Sequence, residues 1–178
     1  MTWKGEYLER GIETVLQSGI GAALDAVEVI WAAAGDPVTL PEPVNWSRGY
    51  RVDMVELPST YYPFVLVMVL ERQAEGSQSG RVARQNVTYE ATISLFLVDD
   101  SEIVVNSIAH RYAEAVINVL QLPANRTVER LRVGNSEPDV TIMPLNAQHL
   151  KAGTSGDQED PDDVDYMRLV DIICTYTT

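Results

Sequence analysis

Two apolar runs separated by a short polar stretch decide the fold of this chain. Residues 64–73 read FVLVMVLERQ, a continuous β-branched and apolar run of the kind found in central strands. Residues 86–98 read NVTYEATISLFLV, where apolar and polar residues alternate, which predicts a strand with one dry face and one wet face. With the turn AEGSQSG at 74–80 between them, the two runs predict a long antiparallel β-hairpin.

Upstream of this hairpin, residues 5–34 have the periodicity of an amphipathic helix. Gly35 follows as a C-terminal cap, and Pro37 prevents the helix from continuing. The apolar stripe consists of Leu8, Ile12, Val15, Leu16, Ile20, Ala23, Leu24, Val27, Ile30 and Trp31.

A second helix is expected directly after the hairpin. Asp99 and Glu102 have the spacing of a capping box at its start, and Pro123 closes the segment. Its apolar stripe consists of Ile103, Val104, Ile108, Tyr112, Ala115, Val116, Val119 and Leu120.

The remaining segments predict short strands and two long connections. Residues 36–48 hold three prolines and predict an extended connection, and residues 145–164 predict an acidic loop rich in Gly and Ser. Strands are expected around Tyr50, Val52 and Met54, and at residues 128–133, 140–143 and 165–176.

The order of these elements predicts a single α+β domain spanning residues 1–178. We expect an antiparallel sheet with a long β-hairpin and two amphipathic helices packed on one face. The side chains expected in the helix–sheet core are Ile12, Leu16, Ile20, Val27, Ile108, Tyr112 and Val116.

The formal net charge of −13 argues against binding of duplex DNA through a basic face. The acidic segment 157–165 (DQEDPDDVD) has Pro161 where a calcium loop needs glycine, so we expect no specific metal site there. His110 and Glu114 have metal-ligand spacing, but two ligands without a partner motif favour a solvated helix face. Cys174, the single cysteine, lies in an apolar stretch and is expected to be buried.

No residue pattern in the chain predicts catalysis or a resident cofactor. A GxSxG elbow, a phosphate-binding loop and a Cys–His grouping are all missing from the sequence. We therefore expect no enzyme activity and no cofactor. The longest apolar run, residues 61–70, is shorter than the roughly 20 residues that span a bilayer. Without a signal-peptide pattern, the expected place of synthesis is the cytoplasm.

The cations form the candidate contact residues. Eleven of them are arginines and two are lysines, and arginine is favoured at interfaces because its planar fork makes directed contacts. Two groups stand out, one flanking the hairpin turn and one following the second helix. We interpret both as candidate assembly contacts: Arg72, Arg81, Arg84, Arg126, Arg130 and Arg132.

This plan resembles the tail terminator (tail completion) proteins of long-tailed bacteriophages. The resemblance rests on the first helix, the strand pair FVLVMVLERQ and RQNVTYEATISLFLVDD, the helix SEIVVNSIAHRYAEAVINVLQ and the final strand YMRLVDIICTYTT. It implies a structural virion protein in the tail or neck, assembled in the host cytoplasm. In such proteins six copies form a ring that caps the tail tube, ends its polymerisation and meets the head connector. DNA passes through the lumen without specific binding.

Two alternatives stay open at this point. The chain also suits another head–tail joining, neck or tail-tube protein, although tube proteins usually invest more of the chain in strands. A different class, a small ligand-binding or enzymatic α+β domain, would use the acids of residues 157–165.

Overall fold

The computed structural model describes residues 4–49, 59–73, 87–122, 125, 148–151 and 166–177. These residues form two helices, five strands and one short 3-10 turn. In chain order the elements are α1 (Lys4–Ala33), β1 (Asn45–Arg48), the turn Ser59–Tyr61, β2 (Phe64–Gln73), β3 (Val87–Asp99), α2 (Glu102–Gln121), β4 (Gln148–Lys151) and β5 (Tyr166–Thr177).

The described strands form one sheet in the order β1-β2-β3-β5-β4. Strand β2 pairs antiparallel with β3, from Phe64 opposite Phe96 to Gln73 opposite Val87. The terminal strand β5 pairs antiparallel with both β3 and β4. The α+β class is therefore confirmed.

The expectation of a purely antiparallel sheet was wrong, because β1 pairs parallel with β2. A parallel pair needs a connection long enough to cross from one end of the sheet to the other. Residues 49–63 supply that length between the two strands. The sheet is consequently mixed, with β1 and β4 at its described edges.

Both helices contribute to the apolar cluster on one face of the sheet. All seven side chains that the sequence assigned to this core are at most 7% exposed. The helices run antiparallel, since a Cβ on Gly19 would meet Val119 at 3.1 Å while Trp31 lies against Arg111. The cluster gathers Val65, Val67 and Val69 from β2, alternate residues of β3 from Tyr89 to Leu97, and Ile172 and Cys174 from β5.

The opposite face of the sheet is not uniformly wet, contrary to the expectation from the alternation in β3. Phe64, Leu66, Phe96 and Met167 form a second buried cluster there. The rings of Phe64 and Phe96 meet edge-on with centroids 5.9 Å apart. On this face Glu90, Thr92 and Ser94 of β3 precede Phe96, so the buried cluster lies where β3 ends and β2 begins.

Two of the expected connections contain strand. Asn45–Arg48, inside the predicted extended connection, forms β1 because the outer edge of β2 offers it backbone partners. The Gly49 amide continues that pairing by donating to the Val67 carbonyl at 3.0 Å. Gln148–Lys151, inside the predicted acidic loop, forms β4 against the edge of β5.

The start of α2 differs in detail from the predicted capping box. Ser101, rather than Asp99, is the N-cap, and its hydroxyl accepts a hydrogen bond from the Val104 amide at 3.4 Å. Asp99 accepts from the Ser101 amide at 2.9 Å and so orients the cap. The strands predicted at residues 50–57, 128–133 and 140–143 lie outside the described residues, as do residues 152–164 of the acidic loop.

Candidate functional site

The candidate contact arginines lie almost entirely outside the described residues. Arg72 belongs to β2, although its side chain is not described. Arg81, Arg84, Arg126, Arg130 and Arg132 fall in undescribed segments. Their role as assembly contacts therefore stays a prediction.

The best-defined polar site in the described residues is where α1 ends against α2. Gly35, at φ +87°, donates to the Ala32 carbonyl at 3.0 Å, and Asp36 donates to the Trp31 carbonyl at 3.0 Å. These two bonds form a Schellman motif, which confirms Gly35 as the predicted C-terminal cap. The motif satisfies two late carbonyls of α1 and turns the Asp36 side chain toward α2.

Arg111 of α2 contacts the residues at this end of α1. Its side chain is 2% exposed, and one guanidinium nitrogen donates to the Asp36 carboxylate. A second nitrogen donates to the Asp36 carbonyl at 3.3 Å, and the guanidinium lies 4.5 Å from the centroid of the Trp31 ring. A buried guanidinium needs such partners to offset its lost hydration.

The connection after α1 is held down by two further contacts. The Tyr112 hydroxyl donates to the Pro41 carbonyl, and the Glu28 carboxylate accepts from the amide of the buried Leu40. Burial raises the pKa of Tyr112, and the negative charge of Glu28 raises it further. Sequence periodicity marked Tyr112 as a core residue but could not show which carbonyl its hydroxyl would reach.

Another polar contact between elements lies at the sheet edge beside β1. The pairing of β1 with β2 ends at Arg48 opposite Val67. The backbone amide of Val69, two residues further along β2, therefore has no partner in β1. The carboxylate of Glu9, a residue 8% exposed, accepts this amide at 3.0 Å. One turn later on α1, Glu13 pairs with Arg48 at 2.7 Å.

Two polar contacts involve β5. Arg168, 8% exposed, donates to the Asn106 amide oxygen at 2.6 Å and so ties β5 to α2. On the other face of the sheet, Ser94 donates to Asp171 at 2.5 Å across the β3–β5 pair. Each of these buried polar groups therefore joins two different elements.

The C-terminal half of α1 has an exposed apolar side that the sequence reading missed. Ile30 and Trp31, assigned to the core stripe, are 57% and 36% exposed. Val29 is 69% exposed, and the alanines at 22, 26 and 33 are exposed as well. We call Ala22, Ala26, Val29, Ile30 and Ala33 the apolar outer face. The available signal was that apolar residues occupy both sides of the helix after residue 22.

The same composition gives α1 a membrane-like profile. Residues Leu8–Ala33 are long enough to cross a bilayer, and an 18-residue stretch within them reaches a mean hydropathy of 1.3. Core helices of water-soluble proteins pass the same test, and Leu8, Leu16 and Leu24 of this helix are at most 1% exposed against the core.

The residues weighed for metal binding are spread over the fold. His110 is exposed on α2, as expected for a solvated helix face, and Glu114 is half-buried. Within the described part of the chain, no three His, Cys, Asp or Glu residues lie close enough to hold a metal ion. The acidic segment 157–165 lies outside that part.

Known proteins add no family assignment. No protein-family model matches this chain, and no curated protein matches it significantly.

Cys174 gives a pH-dependent prediction. It is fully buried, and burial raises the pKa of its thiol from 9.0 to about 12. Between these values the unfolded thiol ionises while the folded thiol keeps its proton. The thiol's contribution to stability is therefore complete below pH 9 and is lost as pH rises toward about 12. The free energy of unfolding should fall by up to about 1.4 kcal/mol per pH unit from this group.

The measurement is urea denaturation of the wild type and Cys174→Ala across this alkaline range. Tyr112 and the other alkaline groups titrate in both proteins, so the difference between the two slopes isolates the thiol. Parallel slopes would show that the thiol is not held protonated by burial.

Proposed function

We propose that this chain is a structural virion protein of the tail terminator type. Copies of it form a hexameric ring that caps the phage tail tube, ends its polymerisation and joins the tail to the head connector. The support is the order of the elements: α1 first, the β2–β3 pair, α2 starting three residues after β3 ends, and β5 last, beside β3.

The observation that carries the proposal is that the described buried polar groups connect separate elements of the fold. Catalytic sites bring titratable groups together in one cleft and shift their pKa values against one another. Here Glu9, Arg111 and Arg168 each make a contact between separate elements instead. This arrangement stiffens the domain, as an assembly subunit requires.

The charge of the chain suits a ring through which DNA moves. A formal net charge of −13 per subunit would give the lumen a negative field. Such a field repels phosphates, so the genome would slide through without adhering.

Sedimentation velocity and negative-stain imaging of the purified full chain test the proposal. We expect a hexamer, or assembly that increases with protein concentration, and rings with a central hole. A protein that stays monomeric or dimeric at all accessible concentrations would contradict the ring. That result would favour the small ligand-binding domain instead.

The segment between β2 and β3 gives a specific prediction for assembly. The described ladder reaches Gln73 opposite Val87, and 13 residues, 74–86, separate these two in the sequence, whereas a simple hairpin needs two to five. Replacing residues 75–83 with Asn-Gly should leave the domain folded, as judged by circular dichroism, but abolish ring formation. The physical reason is the loss of Arg81, which can make directed bonds to carboxylates of an acidic neighbour.

A charge variant separates the arginines from the length of the turn. Arg81→Ala with Arg84→Ala should weaken assembly in sedimentation velocity. Arg10→Ala is the matched control, because Arg10 is an exposed arginine paired with Glu6 on α1. Normal rings from both the shortened protein and the double variant would show that this turn does not dock.

A further inference from the structure

The solvent side of α1 changes character along its length. Among the described side chains of the N-terminal half, the exposed ones are polar: Glu6, Arg10, Thr14, Gln17 and Ser18. From residue 22 onward, the exposed positions belong mainly to the apolar outer face. A surface helix normally keeps its polar stripe to its end, because that stripe meets water.

The apolar outer face is not needed to hold α1 in place. On the inner side of the same segment, Leu24 and Val27 are at most 1% exposed and belong to the core cluster. The Schellman motif and the Arg111–Asp36 pair anchor the end of the helix. Val29 and Ile30 nevertheless remain 69% and 57% exposed. Contiguous exposed apolar side chains of this kind mark interaction surfaces.

The electrostatics around this face select the kind of partner. The last turn of α1 contains no basic residue, so the negative end of the helix dipole is not offset there. Asp25 is exposed beside the face, and the Asp36 side chain is 55% exposed at its end. Arg111, which pairs with Asp36, is itself only 2% exposed. Of the described side chains near this end of α1, none is an exposed lysine or arginine.

The exposed arginines with described side chains belong to the other end of the helix. Arg10 lies in the second turn of α1, and Arg48 contacts Glu13. The apolar outer face is therefore an apolar surface with an acidic margin. An identical face of a second copy would bring like carboxylates together, and a membrane with anionic headgroups would repel it.

We propose that the apolar outer face of α1 docks a helix of another protein whose apolar stripe is flanked by lysine or arginine. The small side chains of Ala22, Ala26 and Ala33 let a partner backbone approach closely, while Val29 and Ile30 supply the buried contact. Flanking cations of the partner meet Asp25 and the carboxyl end of α1. This inference rests on α1 and its margin, and it does not depend on ring formation.

A pair of synthetic amphipathic helices tests this inference on the full-length protein. Both peptides carry the same leucine and alanine face; one is flanked by lysines and the other by glutamates. Fluorescence anisotropy of the labelled peptides should show binding of the lysine peptide that weakens as salt is added. The glutamate peptide should not bind.

Variants locate the site. Val29→Ser with Ile30→Ser should weaken binding of the lysine peptide by about tenfold or more, since two buried aliphatic contacts are lost. Asp25→Lys should also weaken it. Leu70→Ser is the matched control, because Leu70 is 48% exposed but lies on β2, and it should leave the affinity unchanged.

Several results would overturn the proposal. These are failure of the lysine peptide to bind, equal binding of the glutamate peptide, or equal loss of affinity in Leu70→Ser. Sedimentation velocity without peptide supplies a further one: self-association that Val29→Ser with Ile30→Ser abolishes would identify a second copy as the occupant. Co-sedimentation of the free protein with anionic vesicles would identify a membrane instead. If Val29→Ser with Ile30→Ser loses peptide binding but still forms rings, the result supports docking on this face.

Discussion

Replacing Ile12 with alanine is expected to lower the free energy of unfolding by about 2–5 kcal/mol. Ile12 is 0% exposed in the cluster between the helices and the sheet. The substitution removes buried methyl groups and leaves a cavity. The helices are held in place by polar contacts to other elements, so they cannot move fully into that cavity. Urea denaturation followed by circular dichroism measures the loss.

Ile103→Ala is the matched control for this prediction. The chemical change is the same, and Ile103 also lies on a helix, but it is 79% exposed at the start of α2. Its cost should stay within about 0.5 kcal/mol, as for surface substitutions. Similar losses in the two variants would mean that Ile12 does not pack as the structure shows.

Asp36→Ala is expected to cost about 1–3 kcal/mol, because it leaves the buried Arg111 guanidinium without its carboxylate. The value lies below that of a fully buried pair because the Asp36 side chain is 55% exposed, so water already screens the interaction. The Trp31 ring and the Asp36 carbonyl remain as partners of Arg111.

The double variant Asp36→Ala with Arg111→Met should recover most of this loss. Methionine fills a similar volume beside Trp31 without a charge to desolvate, and replacing both members of an ion pair is often neutral. Hydrogen exchange at the amides of Gly35 and Asp36 gives a local readout, since they donate to Ala32 and Trp31 in the cap. An Asp36→Ala protein as stable and as protected as the wild type would contradict a structural role for the pair.

The candidate site was less predictable from the sequence than the fold. Ile30 and Trp31 continue the apolar stripe of α1, yet the core no longer lies beneath them, so both are partly exposed. Arg111 reads as a solvated helix residue by its type, yet α1 ends directly against it. Periodicity identifies which side of a helix is apolar, but not how far the neighbouring element extends along that side.

Sequence patterns alone located α1, β2, β3, α2 and β5 to within one or two residues, because each is long enough for its periodicity to exceed chance. Gly35 was likewise predictable, since few other residues adopt the positive φ that this cap needs. The short edge strands β1 and β4 came only with the tertiary structure, as did the parallel pairing of β1. Their pairing uses backbone groups, which every residue carries, so no side-chain pattern in the sequence predicts it. Only the tertiary structure likewise determined the contacts that Glu9, Arg111 and Arg168 make between elements. Each of their partners is distant in sequence and is brought close by the packing of the helices on the sheet.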